Sequence, residues 1–529
     1  MKKIYTLICF LFISLIVQAQ DLYLVKLKSK ENLAEYISQP SKMLSQKAQE
    51  RRIKYGIAVD EKDVPISKAR ISQIKQLNLT YIGQTKWLNT VMVEILDKNV
   101  IQDLNNLSFV ESVSTMVRNA NAKKTQQIAK IESSKTTSYD YGSSEVFIQQ
   151  LNLKPLHQQN ILGQNICIGV IDAGYTAADT LSVFNNLRNE NRIIDTQDFV
   201  EKKQAVYYGS SHGTMVLSTM AGEKNGQYVG TAPKATYALY RSEAENFESP
   251  KELLYWIQAA ERGDSVGVDI INTSLGYYDF DDARYNYTYQ EMDGKTTLIA
   301  QGALVGVSRG IFFVNAAGNE GNTVWKMISS PADVSTVFSV GANDSNKIPA
   351  SFSSYGPNSI GELKPNVSAL GANIPLVSTN GNKTNASGTS FASPVTAGAI
   401  ALILQQFPKL SHTTIKERIQ KTGHLYTNPT TQLGYGVPDY YKTSQDLLFV
   451  NDLKNNLEVK IYPNPFNDVI NVQSKNDIVS IELFNMVGQQ LIKSTNKNYI
   501  FSKQLSVGAY LLKIIDSKGN IFTEKVIKK

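Results

Sequence analysis

Four short stretches of this chain hold side chains that could do chemistry, each in a glycine-rich turn beside a buried run. Asp172 ends the apolar run 166–171 in Gly-Val-Ile-Asp-Ala-Gly, so its carboxylate emerges at a strand end, and Gly174 permits a tight turn. His212 stands in Ser-Ser-His-Gly-Thr-Met-Val, ahead of the small-residue helical stretch 217–222. A histidine at a helix start, next to a glycine that lets another group approach the ring, suits a general base whose pKa must lie near neutrality. Ser390 lies in Asn-Ala-Ser-Gly-Thr-Ser-Phe-Ala-Ser-Pro, which runs into the apolar helix 395–404. There, backbone N–H groups and the helix dipole would stabilise the negative charge formed when a hydroxyl attacks a carbonyl. Asn319 follows the run 311–315 in Ala-Ala-Gly-Asn-Glu-Gly, and its amide could donate to a tetrahedral oxyanion.

Each residue alone has an ordinary role: a turn Asp, an exposed His beside a helix cap, an N-cap Ser, a left-handed loop Asn. Taken together they are more specific, and the Gly and Ala around Ser390 leave room that a cap does not need. His157, His412 and His424 have no comparable surroundings and are expected to be exposed histidines beside caps. Cys167 falls inside a buried run and reads as a small hydrophobe. With Cys9 removed it is the lone cysteine, so no internal disulfide is expected.

The elements that must position these groups are short β-branched runs apolar on both faces, at 166–171, 235–240, 268–272, 311–315 and 337–341. Helical periods at 250–262 and 296–309 lie between them, which argues an α/β fold, a mainly parallel sheet with crossover helices, over 139–450. Ahead of it, alternating strands at 21–28, 91–95 and 109–113 mark a small α+β unit, and the polar stretch 119–138 reads as an exposed linker, so this domain is placed at 20–138. Behind it, 451–529 turns to short alternating strands, a small all-β sandwich with no clustered carboxylates. Residues 1–19 carry Lys2 and Lys3, an apolar run and Val-Gln-Ala, the pattern of a secretory signal with Gln20 as the mature start. No later segment is apolar enough to span a membrane. The length of 529 residues and the composition, 42% hydrophobic and 19% charged, fit a multidomain globular protein. A net charge of +7 without a basic block gives no case for nucleic acid.

The motifs Gly-Val-Ile-Asp-Ala-Gly at 169–174, His-Gly-Thr-Met-Val at 212–216, Asn-Thr-Ser-Leu-Gly at 272–276, Ala-Ala-Gly-Asn at 316–319 and Gly-Thr-Ser-Phe-Ala-Ser-Pro at 388–394 resemble those of the subtilisin-like serine proteases, in the same chain order. The resemblance covers about 300 residues. It implies Ser390 as nucleophile, His212 as general base and then acid, Asp172 as the group orienting the imidazole, and Asn319 with the Ser390 N–H as oxyanion donors. It further implies that Ser274, Leu275 and Gly276 pair with substrate backbone and, with Ala316, Ala317 and Gly318, wall the S1 pocket. Protein or peptide substrates follow, and no cofactor is required for the chemistry. The α+β unit resembles an inhibitory pro-domain. The tail, with Tyr-Pro-Asn-Pro-Phe-Asn at 462–467, Leu-Phe-Asn-Met-Val-Gly at 483–488 and the ending Lys-Val-Ile-Lys-Lys, resembles the type IX secretion (Por) sorting domain of Bacteroidetes proteins. It implies type IX secretion machinery as a partner and a secreted or cell-surface location.

Three departures from the family pattern stand out. Ala173 replaces the usual Ser or Thr after the catalytic Asp, so one supporting hydrogen bond is expected to be missing. Lys364-Pro365-Asn366 stands where relatives have Lys-Pro-Asp. A Tyr- and Asp-rich insertion at 279–295 could form a rim that selects substrates. Its carboxylates lack a calcium-loop spacing, so a solvated loop is expected there and no metal site. Glu320, next to the oxyanion Asn, could favour Lys or Arg at P1. Two rivals remain: an inactive subtilase serving as a binding module, and an esterase using the same oxyanion machinery. A dinucleotide enzyme fails because no Gly-x-Gly-x-x-Gly follows the first buried strand.

Overall fold

The computed structural model describes residues 21–118, 141–244, 247–455, 459–474, 476–485, 489–494, 498–517 and 521–529. The expected signal 1–19, the linker 119–138 and the turns 486–488 and 518–520 lie outside these residues. The chain divides into two compact units, Met1–Thr443 and Ser444–Lys529.

In the first unit a seven-stranded sheet runs in the order Val367–Leu370, Phe338–Asn343, Phe312–Ala316, Ile270–Thr273, Cys167–Asp172, Thr236–Arg241, Ile193–Asp198, with every neighbouring pair parallel. Five of these strands contain the apolar runs anticipated from sequence. The two edge strands do not read as buried runs, because Ile193–Asp198 is half polar and Val367–Leu370 is only 4 residues long. Strand order reverses between Cys167–Asp172 and Ile270–Thr273, and in open α/β sheets the crevice beyond the strand ends at such a point is where ligands bind. Helices Lys251–Val266, Leu298–Ser308, His212–Ala221 and Thr389–Gln406 pack on the sheet, the last buried from Thr389 to Leu404.

The N-terminal part of the same unit is a four-stranded antiparallel sheet in the order Thr80–Thr85, Thr90–Ile95, Asp21–Leu27, Val110–Thr115. The alternation in Asp21–Leu27 serves two cores. Tyr23, Val25 and Leu27 close on the sheet's own helices, whereas Leu22, with Trp87, Met92 and Met116, joins the core formed by Leu253, Leu254 and Ile257 of Lys251–Val266. A further helix, Gln46–Tyr55, reaches the amino end of the parallel sheet. There the buried Arg51 and Arg52 both pair with Asp264, which is itself fully buried.

The second unit folds into two antiparallel sheets, Val459–Tyr462 with Val469–Ser474 and Tyr499–Phe501, and Gln490–Ser494 with Ile478–Asn485, Gly508–Asp516 and Ile521–Lys528. Ile470, Val472, Ile481, Leu483, Leu512 and Ile514 share one core.

Candidate active site

Asp172 is the last residue of its buried strand and is itself fully buried. His212 is the first residue of His212–Ala221, and its Nδ1 lies 2.8 Å from Asp172 Oδ1. Two glycines allow that approach. Gly174 has φ 145°, and a Cβ there would lie 2.4 Å from the Tyr208 carbonyl oxygen, in the loop that delivers His212. A Cβ on Gly213 would meet the Gly174 carbonyl oxygen at 2.4 Å and Asp172 Cβ at 3.0 Å. Burial disfavours the imidazolium, but the charge and hydrogen bond of Asp172 outweigh it, so the His212 pKa is raised above its ordinary 6.5. Asp172 Oδ1 also accepts the Ala173 N–H, while the buried Oδ2 has no hydrogen-bond partner among the described residues. Ala173 carries no hydroxyl that could supply one.

Ser390 occupies the first turn of Thr389–Gln406, and its Oγ donates to the Ser274 carbonyl at 3.2 Å. Among the described residues no hydrogen bond joins Ser390 to His212. Pro394 accounts for the matching contact on the other side. It has no N–H, so the Ser390 carbonyl lacks its i+4 helical partner and instead accepts the Ser274 hydroxyl at 2.7 Å. Ser393 Oγ donates to Asn272 Oδ1 at 2.8 Å, which ties the same strand end to the helix once more. The segment Ser274–Leu275–Gly276 is thereby set beside Ser390.

Asn319 Oδ1 accepts the Thr389 N–H at 2.9 Å and the Thr389 hydroxyl at 3.0 Å. A backbone N–H can only donate, so the amide oxygen is the atom facing Thr389 and Nδ2 is left pointing away from it. Neither Asn319 Nδ2 nor the Ser390 N–H makes a hydrogen bond among the described residues, so two donors stand free near Ser390. Gly318, at φ 110°, lies against the site's polar floor: a Cβ there would meet Glu320 Oε2 at 2.3 Å, Ser354 Oγ at 2.6 Å and Ser329 Oγ at 3.3 Å. From the opposite side, a Cβ on Gly276 would meet Ser329 Oγ at 2.0 Å. Gly276 and Gly318 therefore both pack on Ser329, with Ser354 and Glu320 beside Gly318. Glu320 is 9% exposed and accepts the Ser354 hydroxyl at 2.7 Å, and burial raises its pKa.

Other parts of the site were not legible in the sequence. Glu243, Glu248 and Glu252 bring carboxylate oxygens within 4.8 Å of one another. Glu243 lies next to Ser242, whose N–H bonds the Asp172 carbonyl at 3.1 Å, and it accepts the Tyr277 hydroxyl. Burial, and then repulsion from the neighbouring glutamates, raises the pKa values of Glu243 and Glu252. These glutamates stand in a strand-to-helix connection with no motif spacing, so only the fold brings them together. The insertion 279–295 is not the solvated loop expected of it: Phe280, Tyr285, Tyr287 and Met292 are buried because their side chains pack into the main core, and Ala283 is buried with them. Two of the three remaining histidines are also less exposed than expected. His157 is buried between the Tyr141 hydroxyl and the Thr231 carbonyl, with its pKa pushed down to about 4 by burial. His412 bonds the Tyr55 hydroxyl at 3.1 Å and is pushed down by burial to about 3, whereas His424 is exposed, as expected. Cys167 is buried and its thiol pKa is raised to about 11 by burial.

The sequence pattern of the subtilase family (Peptidase_S8) matches residues 163–437, just over half of the chain. A Peptidase S8 propeptide domain of Bacteroidota matches residues 22–133, and a secretion system C-terminal sorting domain matches residues 460–529. The chain is 32% identical to subtilisin DY of Bacillus licheniformis over 280 residues, 53% of this chain and 89% of that protein. It is 32% identical to subtilisin E of Bacillus subtilis (strain 168) over 312 residues, 58% of this chain and 73% of that one. Among solved structures, the epidermin leader peptide processing serine protease of Staphylococcus aureus is similar in fold, with a TM-score of 0.54 and 18% identity over 80% of this chain and 98% of that one. Among the described residues no helix is long and apolar enough to cross a membrane.

Proposed function

The chain belongs to the subtilase family of serine-type endopeptidases, and we propose that it cleaves peptide bonds through Asp172, His212 and Ser390 with an acyl-enzyme intermediate. The observation that carries this reading is the 2.8 Å contact of His212 Nδ1 with a fully buried Asp172, at the sheet's switch point and beside Ser390. In this reading Ser390 Oγ turns from the Ser274 carbonyl to His212 Nε2 and gives up its proton to it while attacking the scissile carbonyl, which forms a tetrahedral intermediate. His212 passes that proton to the amine as the C–N bond breaks and the acyl ester forms, and a water deprotonated by His212 then hydrolyses the ester and regenerates Ser390. Asp172 holds the Nδ1–H tautomer and stabilises the imidazolium. Asn319 Nδ2 and the Ser390 N–H receive the developing oxyanion. Every group the mechanism uses is a side chain or backbone group of this chain, so no cofactor enters it.

Ser274–Gly276 would pair with extended substrate backbone, which favours peptides over simple esters. Glu320, whose carboxylate lies beside Gly318, favours Lys or Arg at P1. The N-terminal domain 20–138 acts as the inhibitory pro-domain of a zymogen. The type IX sorting domain marks the protein for the cell surface or the exterior, and the secretion machinery is its partner there.

The resting contact of Ser390 with Ser274 leaves one rival, an inactive binding module. A fluorophosphonate probe with intact-mass readout and a casein assay separate the two. The wild-type chain is expected to gain one adduct and to degrade casein, and Ser390→Ala to do neither. A wild type that takes no label even after its pro-domain has been removed would refute the reading.

A further inference from the structure

The insertion 279–295 has an occupant already on it. Arg284 pairs with Asp21 at 2.7 Å, and the Tyr285 hydroxyl accepts the Leu22 N–H at 3.0 Å. At the other end of the pro-domain, the Arg118 N–H bonds the Arg284 carbonyl at 2.7 Å, the Arg118 guanidinium pairs with Glu291, and it lies 4.2 Å from the centre of the Tyr287 ring. The pro-domain brings its own ends together for this, since the Met116 N–H donates to the Leu22 carbonyl at 2.9 Å. One insertion therefore holds both the first and the last described residues of the pro-domain.

The insertion is independently braced on the catalytic domain. The Tyr289 hydroxyl donates to the Pro357 carbonyl at 2.9 Å, the Ser359 N–H to the Met292 carbonyl at 2.9 Å, and the Gly294 N–H to Asp333 Oδ2 at 2.8 Å. Glu291 divides its carboxylate: Oε2 takes the Thr288 N–H and closes a capping box, and Oε1 is left for Arg118. Leu22 and Met116 of the pro-domain share one apolar core with Tyr285 and Tyr287 of the insertion, and beside them the seam is open. A cavity of about 370 Å³ lies there between Leu24, Leu88 and Met116 on one side and Tyr287, Leu298 and Gln301 on the other. Polar and cation–π contacts add to that apolar packing.

We infer that the insertion 279–295 is a retention clamp for the chain's own pro-domain, which keeps the pro-domain seated after the connection to the catalytic domain has been cut. The inference rests on the zymogen reading above. It extends that reading by naming the surface that governs release. Because Tyr287 N–H also bonds the Tyr278 carbonyl at 2.8 Å, the clamp is continuous with the segment that lines the cleft.

The test is made on the full chain carrying Ser390→Ala, with a recognition sequence for a site-specific protease placed within 119–138. It therefore reads pro-domain release and not activity, and a failure of the protease reading leaves it intact. After cleavage, release of a fluorescently labelled pro-domain is followed by gel filtration. Glu291→Gln and Arg284→Met are each expected to speed release at least fivefold, and the pair at least twentyfold. Asp21→Asn, a change on the pro-domain side that leaves the insertion whole, is expected to act in the same direction as Arg284→Met. Molar salt should bring the unmodified clamp towards the double variant, since part-exposed ion pairs are screened. Release from the double variant within twofold of the parent would overturn the inference. So would an equal effect from Glu94→Gln, which breaks the Lys251 pair elsewhere in the same seam.

Discussion

Replacing Asn319 by Leu should slow acylation without weakening substrate binding, because Nδ2 meets a full negative charge only in the tetrahedral state. The loss of one oxyanion donor costs about 2.7–4 kcal/mol, a range that comes from the asparagine of subtilisin, a relative of this chain. The expectation is therefore a fall in kcat of roughly 100- to 1,000-fold with KM nearly unchanged. The structure adds a second, separable effect. Asn319 Oδ1 accepts the N–H of the fully buried Thr389, and leaving that donor unpaired costs about 1–3 kcal/mol of stability. Thr389→Val divides the two effects. It keeps the backbone bond that orients the amide but removes the hydroxyl that accepts the Gly318 N–H at 3.2 Å. It should therefore cost about 1–3 kcal/mol of stability and no more than about tenfold in kcat. Urea unfolding in the Ser390→Ala background gives the stabilities, and peptide kinetics on the processed enzyme give kcat and KM. A Thr389→Val enzyme as slow as Asn319→Leu, or an Asn319→Leu enzyme losing less than tenfold, would refute the orientation argument.

Activity should rise with pH as His212 loses its proton, at a pKa above the ordinary 6.5. Asp172→Asn removes the charge that raises this pKa and leaves the burial that lowers it, so the acid limb of kcat/KM moves to lower pH while the plateau drops by about 10,000-fold. In a peptide library, Glu320→Gln should lower kcat/KM for Lys and Arg at P1 relative to Ala by about tenfold, and an unchanged ratio would dismiss the floor carboxylate as a determinant. Burial, with repulsion from Glu248, pushes the buried Glu243 up to about 8, so the folded state holds a proton that the unfolded state has already released. Stability attributable to this group is present below the ordinary carboxylate range and is lost as pH rises through about 8. Glu243→Gln should accordingly flatten the fall of Tm between about pH 5 and pH 9. Asp264→Asn strips one buried carboxylate from both Arg51 and Arg52. It should destabilise the zymogen by about 3–5 kcal/mol in urea while leaving the processed enzyme, which has lost both arginines, nearly unchanged.

The part of the fold that sequence alone reveals is the part whose burial is complete. Cys167–Asp172 and Phe312–Ala316 are apolar or small along their length and end abruptly in glycine turns, so the strand and the reactive residue at its end are visible together. Ile193–Asp198 escapes because an edge strand is solvated on one side and carries no run. The candidate site residues Asp172, His212, Asn319 and Ser390 are legible because all four fall in glycine-rich turns beside buried runs, a combination more specific than the ordinary role each could have alone. The carboxylate cluster is not legible, since it joins the end of a strand to a helix across a connection that only the tertiary fold closes. The insertion departs from its sequence for a related reason: tyrosine and aspartate together read as polar surface, yet here the rings are buried and Arg284 and Glu291 meet partners from the pro-domain.

Those partners point to a division of labour along the sheet. At its carboxyl end the catalytic domain satisfies its own site: Ser274 and Pro394 seat Ser390, Thr389 seats Asn319, and Gly174 and Gly213 seat His212 on Asp172. At the amino end it does not. There Arg51 of the pro-domain donates to the Asp264 carboxylate and to the carbonyls of Val268 and Arg309, groups at the mouths of two central strands. Ser45 bonds the Ser265 and Val266 carbonyls at the end of helix Lys251–Val266, where Gly267, at φ 100°, gives way to it. Helix termini leave carbonyls without internal partners, and here the pro-domain supplies them. The catalytic machinery is therefore internally braced and the opposite edge is braced from outside. Cutting the connection at 119–138 leaves the site's own hydrogen bonds intact and makes departure of the pro-domain a separate step, opposed at one end by buried ion pairs and at the other by the clamp on the insertion.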